Sequence, residues 1–459
     1  MFMRTTQGEK AWISAVLFLA LLTLFLWPSV SSGQAISSGE TLTLSRAIEL
    51  ALKNQPTILA GIGAVRASEA RIGEAKSNYY PQLTASGAYS RISRPSGGGP
   101  TTAAIPTAGG GTTTVSSSGT GIFDQYTSSA GVSQLVYDFG KTASTVKVQD
   151  LNTLSSRFDL RNTQDQVIFN VKQAYYNILL AIRTRDVALE SVANFEKHLQ
   201  QARGFFEVGT KPKFDVTKAE VDLSNARLSL IKAENQVRLA RVNLNNAIGI
   251  PEAPDYTLQD ILSFVKYELP FDAALQKAFA QRADLQSLIQ KKDSSKESIN
   301  LAQKGYYPVV NASASYYYTG TNFPLSDGWN YGLNLTAPIF SGFLTKYQVA
   351  EAKANYDTAS ATERSLRLGI ISQVQQGYVL LRQASESIAT SEVTVRQAKE
   401  NVDLALGRYQ AGVGSPIEVT DALTALSNAE VAYVSALTDY KNAQASIEVA
   451  IGERDETTK

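Results

Sequence analysis

The chain repeats itself. The segment VKQAYYNILL, beginning at Val171, faces VQQGYVLLRQ, beginning at Val374, at a spacing of 203 residues. The same spacing pairs Gly209 with Gly412, Asp215 with Glu418, DVT at 215 with EVT at 418, and AIG at 247 with AIG at 450. An ungapped correspondence this long implies two copies of one structural unit. Upstream, the Tyr79-Tyr80-Pro81 motif matches Tyr306-Tyr307-Pro308 at a spacing of 227, so the first copy carries 24 additional residues. They coincide with Ser93–Gly121, a stretch dominated by Gly, Ser, Thr and Pro. That composition cannot bury a core and predicts a mobile exposed loop. The organisation expected is a first repeat over 36–249, a linker over 250–270, a second repeat over 271–452 and a short tail over 453–459.

Each copy changes period part-way along. After the second Tyr-Tyr-Pro, Val310, Ala312, Ala314, Tyr316 and Tyr318 alternate with Asn311, Ser313, Ser315 and Tyr317. Beyond a short polar loop, Trp329, Tyr331, Leu333, Leu335, Ala337 and Ile339 alternate with polar or small residues. Period two predicts a strand pair with one apolar and one polar face, over about 309–318 and 329–340. The first copy repeats the pattern at 82–92 and 126–138. Strands of about 10 residues match a tilted bilayer crossing, and aromatic residues near their ends suit a membrane interface. A soluble sandwich with one wet face would show the same alternation.

The remainder reads as long helix. Val216, Leu223, Leu230, Val237 and Leu244 recur every seven residues, and Val419, Leu426, Tyr433, Tyr440 and Ile447 fill the same slots in the second copy. Sustained sevens predict coiled-coil packing. The stretches 142–207 and 345–410 contain no proline. Each can form one helix of about 100 Å at a rise of 1.5 Å per residue. Gly209 and Gly412 then mark the far end, where the chain turns back.

Four strands cannot close a barrel, and an open sheet edge is not tolerated in lipid. Several copies must therefore pool strands; three would supply twelve. The fold expected is mixed α and β: an outer-membrane β-barrel continued by a periplasmic duct of coiled coils. Export to that location fits the N-terminus. Arg4 and Lys10 precede an apolar run, Ala11–Trp27, and then Gly33-Gln34-Ala35, the pattern of a signal peptide cleaved after residue 35.

Composition removes other classes of function. A net charge of +1 gives no footprint for nucleic acid. The absence of cysteine excludes disulfides, thiol nucleophiles and the lipidated cysteine of a lipoprotein. One histidine, His198, leaves no zinc site and reads as a solvated helix residue. No glycine-rich phosphate loop ending in Gly-Lys-Ser/Thr occurs. No cofactor, metal or catalytic residue is therefore expected, and any energy must come from a partner. The alternative to a duct is a periplasmic coiled-coil adaptor or scaffold with no pore, which would share the heptads but has no use for two strand pairs.

The segments AIELALKNQPTILAGIGAVRASEARIGEAKSNYYPQL, VYDFGK, PIFSGF and RYQAGVGSPIEVTDALTALSNAEVAY together resemble the TolC family of outer-membrane efflux proteins, from about Leu42 to Gly452. The resemblance implies a homotrimer with a twelve-stranded barrel and a long periplasmic tunnel. It also implies docking to a periplasmic adaptor and an inner-membrane pump, for drug efflux or for type I secretion of proteins.

The family closes its tunnel at the helical tips. Its pattern of a Tyr, an acid nine residues on and another acid three further falls on Tyr409, Glu418 and Asp421, and its first-copy tip acid on Asp215. The tip turns themselves, Gly209, Gly412 and Gly414, are then the expected adaptor contacts. Gly414 stands where the family pattern has an arginine four residues before the first acid, so that latch is missing. A weaker one is expected, with Tyr409 bonding Asp215 and Lys211, Lys213 or Lys218 pairing with the acids. Glu418 also has a purely local reading: Ser415-Pro416-Ile417-Glu418 is a capping box with proline at the first helical position. Both roles are compatible. Three copies would then set six carboxylates around one mouth and favour cations.

Overall fold

The structure is a computed structural model and describes residues 36–94 except 38, 101–106, 112–117 and 121–453. The expected signal segment and the end of the tail lie outside the described residues.

Two 67-residue helices dominate, α3 (Lys141–Glu207) and α7 (Leu344–Gln410). Each turns sharply into a return helix, α4 (Lys213–Ile248) or α8 (Pro416–Ala450). Shorter pairs precede the long helices: α1 (Leu44–Asn54) with α2 (Pro56–Lys76), and α5 (Phe271–Gln281) with α6 (Ala283–Gln303). The two copies therefore match element for element, 11 and 21 residues in each short pair. Along its first part α3 packs on α2 and α6, as in the bond between Ser68 and Ser156 and that between Ser155 and Ser287. Along its last part it packs on α4, as in the Arg227–Glu196 ion pair. Among the described residues no helix is long and apolar enough to cross a membrane.

The return helices explain how these bundles pack so closely. The heptad positions Leu223, Leu244, Leu426, Tyr440 and Ile447 are buried, as expected. A second line runs three residues later and consists only of alanine: Ala219, Ala226, Ala233 and Ala240 in α4, Ala422, Ala429, Ala436, Ala443 and Ala450 in α8, all buried. A methyl group at every seventh position lets facing helices approach where a larger side chain would hold them apart. The repeats are also tied to each other by Lys172 of α3, whose Nζ lies 2.7 Å from Glu448 Oε2 of α8 in a largely buried ion pair.

The strands form one sheet in the order β2 (Gln82–Arg94), β5 (Gly121–Tyr137), β7 (Val309–Gly320), β8 (Ser326–Thr336), antiparallel throughout. A two-residue parallel bridge, β1 (Thr41–Leu42) with β6 (Thr257–Leu258), pins the linker beside α1. Register carries the alternation across the whole sheet. Leu83, Val132, Ala314 and Tyr331 stand level on one face, next to the row Ala85, Ala130, Tyr316, Trp329. Thr84, Gly131, Ser315 and Asn330 form a polar row on the other. Leu83, Trp329, Tyr331, Leu333 and Leu335 are all well exposed, an apolar face that no other described residue covers.

Two expectations need correction. Strand β8 ends at Thr336, so Ala337 and Ile339 are not strand residues. Proline at 338 has no N–H for a ladder and ends it; the chain then enters α7 through left-handed Gly342 and Phe343. The stretch expected to be a loop contains a second ribbon, β3 (Thr101–Pro106) paired with β4 (Thr112–Ser117). Too few apolar residues for a core does not preclude strands. The β-branched residues in TTAAIP and TTTVSS favour extended backbone, and a two-stranded ladder needs only backbone bonds.

Candidate functional site

Both long helices end in the same set of backbone bonds. Helix α3 ends with Gly209 N–H donating to Phe206 O at 2.9 Å and Thr210 N–H to Phe205 O at 2.9 Å. Helix α7 ends with Gly412 N–H donating to Tyr409 O at 3.1 Å and Val413 N–H to Arg408 O at 3.0 Å. Gly209 and Gly412 have φ of +75° and +80°, the left-handed conformation that closes a helix in this manner and favours glycine. Proline 212 and Ser415 then start the return helices. The capping box is present: Ser415 Oγ accepts from Ile417 N–H at 3.2 Å, and Glu418 Oε1 accepts from Ser415 N–H at 3.4 Å.

Tyr409 is fully buried between the two hairpins, and Asp215 is 4% exposed beside it. The Tyr409 hydroxyl donates to Asp215 Oδ2 at 3.4 Å, which joins the second hairpin to the first. Burial and then the Asp215 carboxylate push the Tyr409 phenol up to about 12, so it remains a donor at every physiological pH. Phe205 meets the same ring edge-on, and Lys211 Nζ stands 5.1 Å from its centroid. Lys211 also lies 3.5 Å from Gly414 O, a second link between the turns. Glu418 and Asp421 are exposed, one helical turn apart on α8.

The structure thus brings Tyr409 and Asp215 together and leaves Glu418 and Asp421 facing outward from the helix pair. The lysines differ from expectation. Lys218 is occupied by Asp222, at 2.5 and 2.7 Å, and Lys211 serves the Tyr409 ring and a carbonyl rather than an acid. The cation that reaches Glu418 is Arg408, whose Nε donates to Oε2 at 3.2 Å. Sequence reasoning missed it by looking for a cation just ahead of the acid in the chain. The turn instead folds the last residues of α7 back over the first turn of α8. A basic residue in the last turn of a helix is a recognisable signal, because it complements the helix dipole. The pair is half-exposed and contributes on the order of 0–1 kcal/mol.

Gly414 is buried and close-packed. A Cβ there would lie 2.8 Å from Tyr409 N and 2.9 Å from Arg408 C, both backbone atoms. An arginine at 414 is therefore incompatible with this turn, and the missing latch has a steric cause.

His198 is not a solvated helix residue. It is 1% exposed, packed edge-on against Tyr409 with ring centroids 5.2 Å apart. The seven-residue pattern runs along the return helices and does not extend to α3, where Tyr409 of the second hairpin packs on His198 and Asp215 and Asp222 of α4 stand near it. Among the described residues no group of three His, Cys, Asp or Glu could hold a metal ion.

The family model described as "Outer membrane efflux protein" matches residues 47–250 and 274–453, both repeats. Outer membrane protein TolC of Escherichia coli is 23% identical over 455 residues, covering 95% of this chain and 87% of that protein. The probable efflux pump outer membrane protein TtgC of Pseudomonas putida is 25% identical over 351 residues, covering 72% of this chain and 70% of that protein. Among solved structures, CusC superposes with a TM-score of 0.77 at 16% identity, covering 93% of this chain and 96% of that one. The open state of the Neisseria gonorrhoeae MtrE outer membrane channel superposes at 0.73 with 19% identity, covering 93% and 94%. The sheet with its uncovered apolar face, the duplicated hairpins and these matches lead to one conclusion: the chain belongs to the outer membrane efflux protein family.

Proposed function

We propose that this chain is a passive, gated exit duct, three copies of which pool their sheets into a twelve-stranded outer-membrane barrel and extend their helices as a tunnel into the periplasm. One observation carries this reading. Among the described residues, a four-stranded sheet with an apolar face and unpaired edges at β2 and β8 sits on helices about 100 Å long, none of which is apolar enough to span a bilayer. Edges in lipid demand pairing, and only further copies of the sheet can supply it. A periplasmic scaffold would have no reason to build such a sheet. Export through a cleaved signal segment, with no cysteine for a lipid anchor, fits this placement.

The partners that follow are a periplasmic adaptor, received at the tip turns of Gly209, Gly412 and Gly414, and an inner-membrane pump. The duct has no phosphate loop of its own, so the pump supplies energy and selects the cargo. Opening requires the hairpins to part, biased by a partner that binds the parted tip more tightly than the tied one. The Tyr409–Asp215 bond and the Lys211 contacts oppose that movement. Glu418 and Asp421, exposed on α8 and repeated in three copies, line the mouth and favour cations.

The test is single-channel recording in planar bilayers. Glu418→Gln with Asp421→Asn should lower the preference for cations over anions several-fold. A double variant with unaltered selectivity would remove these two residues from the mouth.

A further inference from the structure

The tip contains a titratable group that none of the ties described above uses. His198 lies 1% exposed near the end of α3, and neither Nδ1 nor Nε2 has a hydrogen-bond partner among the described residues. Buried polar atoms are almost always satisfied, so an imidazole orphaned at both nitrogens calls for an explanation. Its place is specific. It packs on Tyr409, the residue that joins the two hairpins.

The charged groups around it each hold another partner. From α4 come Asp215, Lys218 and Asp222. Asp215 accepts the Tyr409 hydroxyl. Asp222 is held by Lys218 and by the hydroxyl of Thr420, which is the contribution of α8. From α7 comes Tyr409 itself, with Lys211 of the first turn over its ring. A neutral imidazole is tolerated in this setting. An imidazolium carries two N–H donors and a charge, and in the tied tip no acceptor among the described residues lies within hydrogen-bond reach of either nitrogen.

We propose that His198 makes the tip a proton-sensitive latch: its neutral form is accommodated between the tied hairpins, and its protonation drives them apart. The proposal rests on the reading of the chain as a gated duct. A proton on the ring has two outlets, and both loosen the tie. The imidazolium can take Asp215 from the Tyr409 hydroxyl, or Asp222 from Lys218 and Thr420. Alternatively the helices part and let water reach the ring.

The direction follows from linkage. Burial, with Lys218 adding to it and Asp222 and Asp215 opposing, holds the histidine below its ordinary value of 6.5 in the tied tip. In a parted, hydrated tip it returns to about 6.5. The tied state therefore keeps its full advantage above about pH 6.5 and loses it as pH falls below that value. At pH 5.5 the ratio of parted to tied tips can rise by up to about tenfold per chain.

The experiment compares wild type with His198→Phe in planar bilayers at pH 7.5 and 5.5. Phenylalanine keeps an aromatic ring against Tyr409 and cannot titrate; should that variant fail to assemble, His198→Gln takes its place. Open-state occupancy should rise several-fold on acidification in wild type and stay flat in the variant. A wild type indifferent to pH over this range, or a variant that retains the response, overturns the proposal while leaving the duct intact. Absence of channels at either pH overturns the duct reading and the latch with it. Because the chain has a single histidine, NMR of histidine-labelled protein reads this ring alone. Titration at or above 6.5 in the tied state would also overturn the proposal.

Discussion

At the scale of the residue, Gly414 shows how a single missing side chain can have a steric explanation. Its neighbours are backbone atoms, which cannot move aside as a flexible side chain would. Gly414→Arg should therefore not restore an arginine latch. It should displace the turn, weaken the Tyr409–Asp215 bond and destabilise the tip by about 1–3 kcal/mol, the usual range for forcing atoms into a filled site. Raised basal conductance together with a lowered melting temperature would report this; a variant that closes more tightly than wild type would contradict it. The residues of this site were legible in the sequence to different degrees. The capping box was readable because its parts lie within four residues of one another. The Tyr409–Asp215 bond came from the duplicated pattern and the family likeness. Arg408 and His198 were not read from the sequence, because each acquires its role from contact with another helix. Arg408 depends on how tightly the turn folds, and His198 on Tyr409 of the second hairpin reaching that side of α3.

At the scale of the element, the alanine lines of α4 and α8 set how closely the helices approach. Ala429→Leu, in the core of the tip bundle, should cost about 1–3 kcal/mol through overpacking. The same change at the exposed Ala425 should cost little. Thermal unfolding followed by circular dichroism distinguishes the two. Equal losses would mean that the alanines are not at the helix contacts. The heptads of larger side chains were evident from spacing, and so were both 67-residue helices, because no proline interrupts them. Strand ends were less evident. Alternation continued through Ala337 and Ile339, but hydrogen bonding stopped at the proline between them. The β3–β4 ribbon was invisible to a reading based on composition, since composition reports on cores and not on ladders.

At the scale of the whole molecule, duplication has made length a shared dimension. Helices α3 and α7 have the same number of residues, and the turns at their ends must meet for Tyr409 to reach Asp215. A residue gained or lost in one pillar tilts the mouth, as an uneven leg tilts a table; the same edit made in both pillars only shifts it. Removing one seven-residue unit from all four long helices, at matching positions, should shorten the tunnel by about 10.5 Å. It keeps every seam in register. Channels should still form and close. The same deletion confined to α3 and α4 should leave the channel leaky, and conductance traces of the two variants would separate the cases. In the proposed duct, the reach of the tunnel would then be adjustable in steps of one heptad, provided both repeats change together.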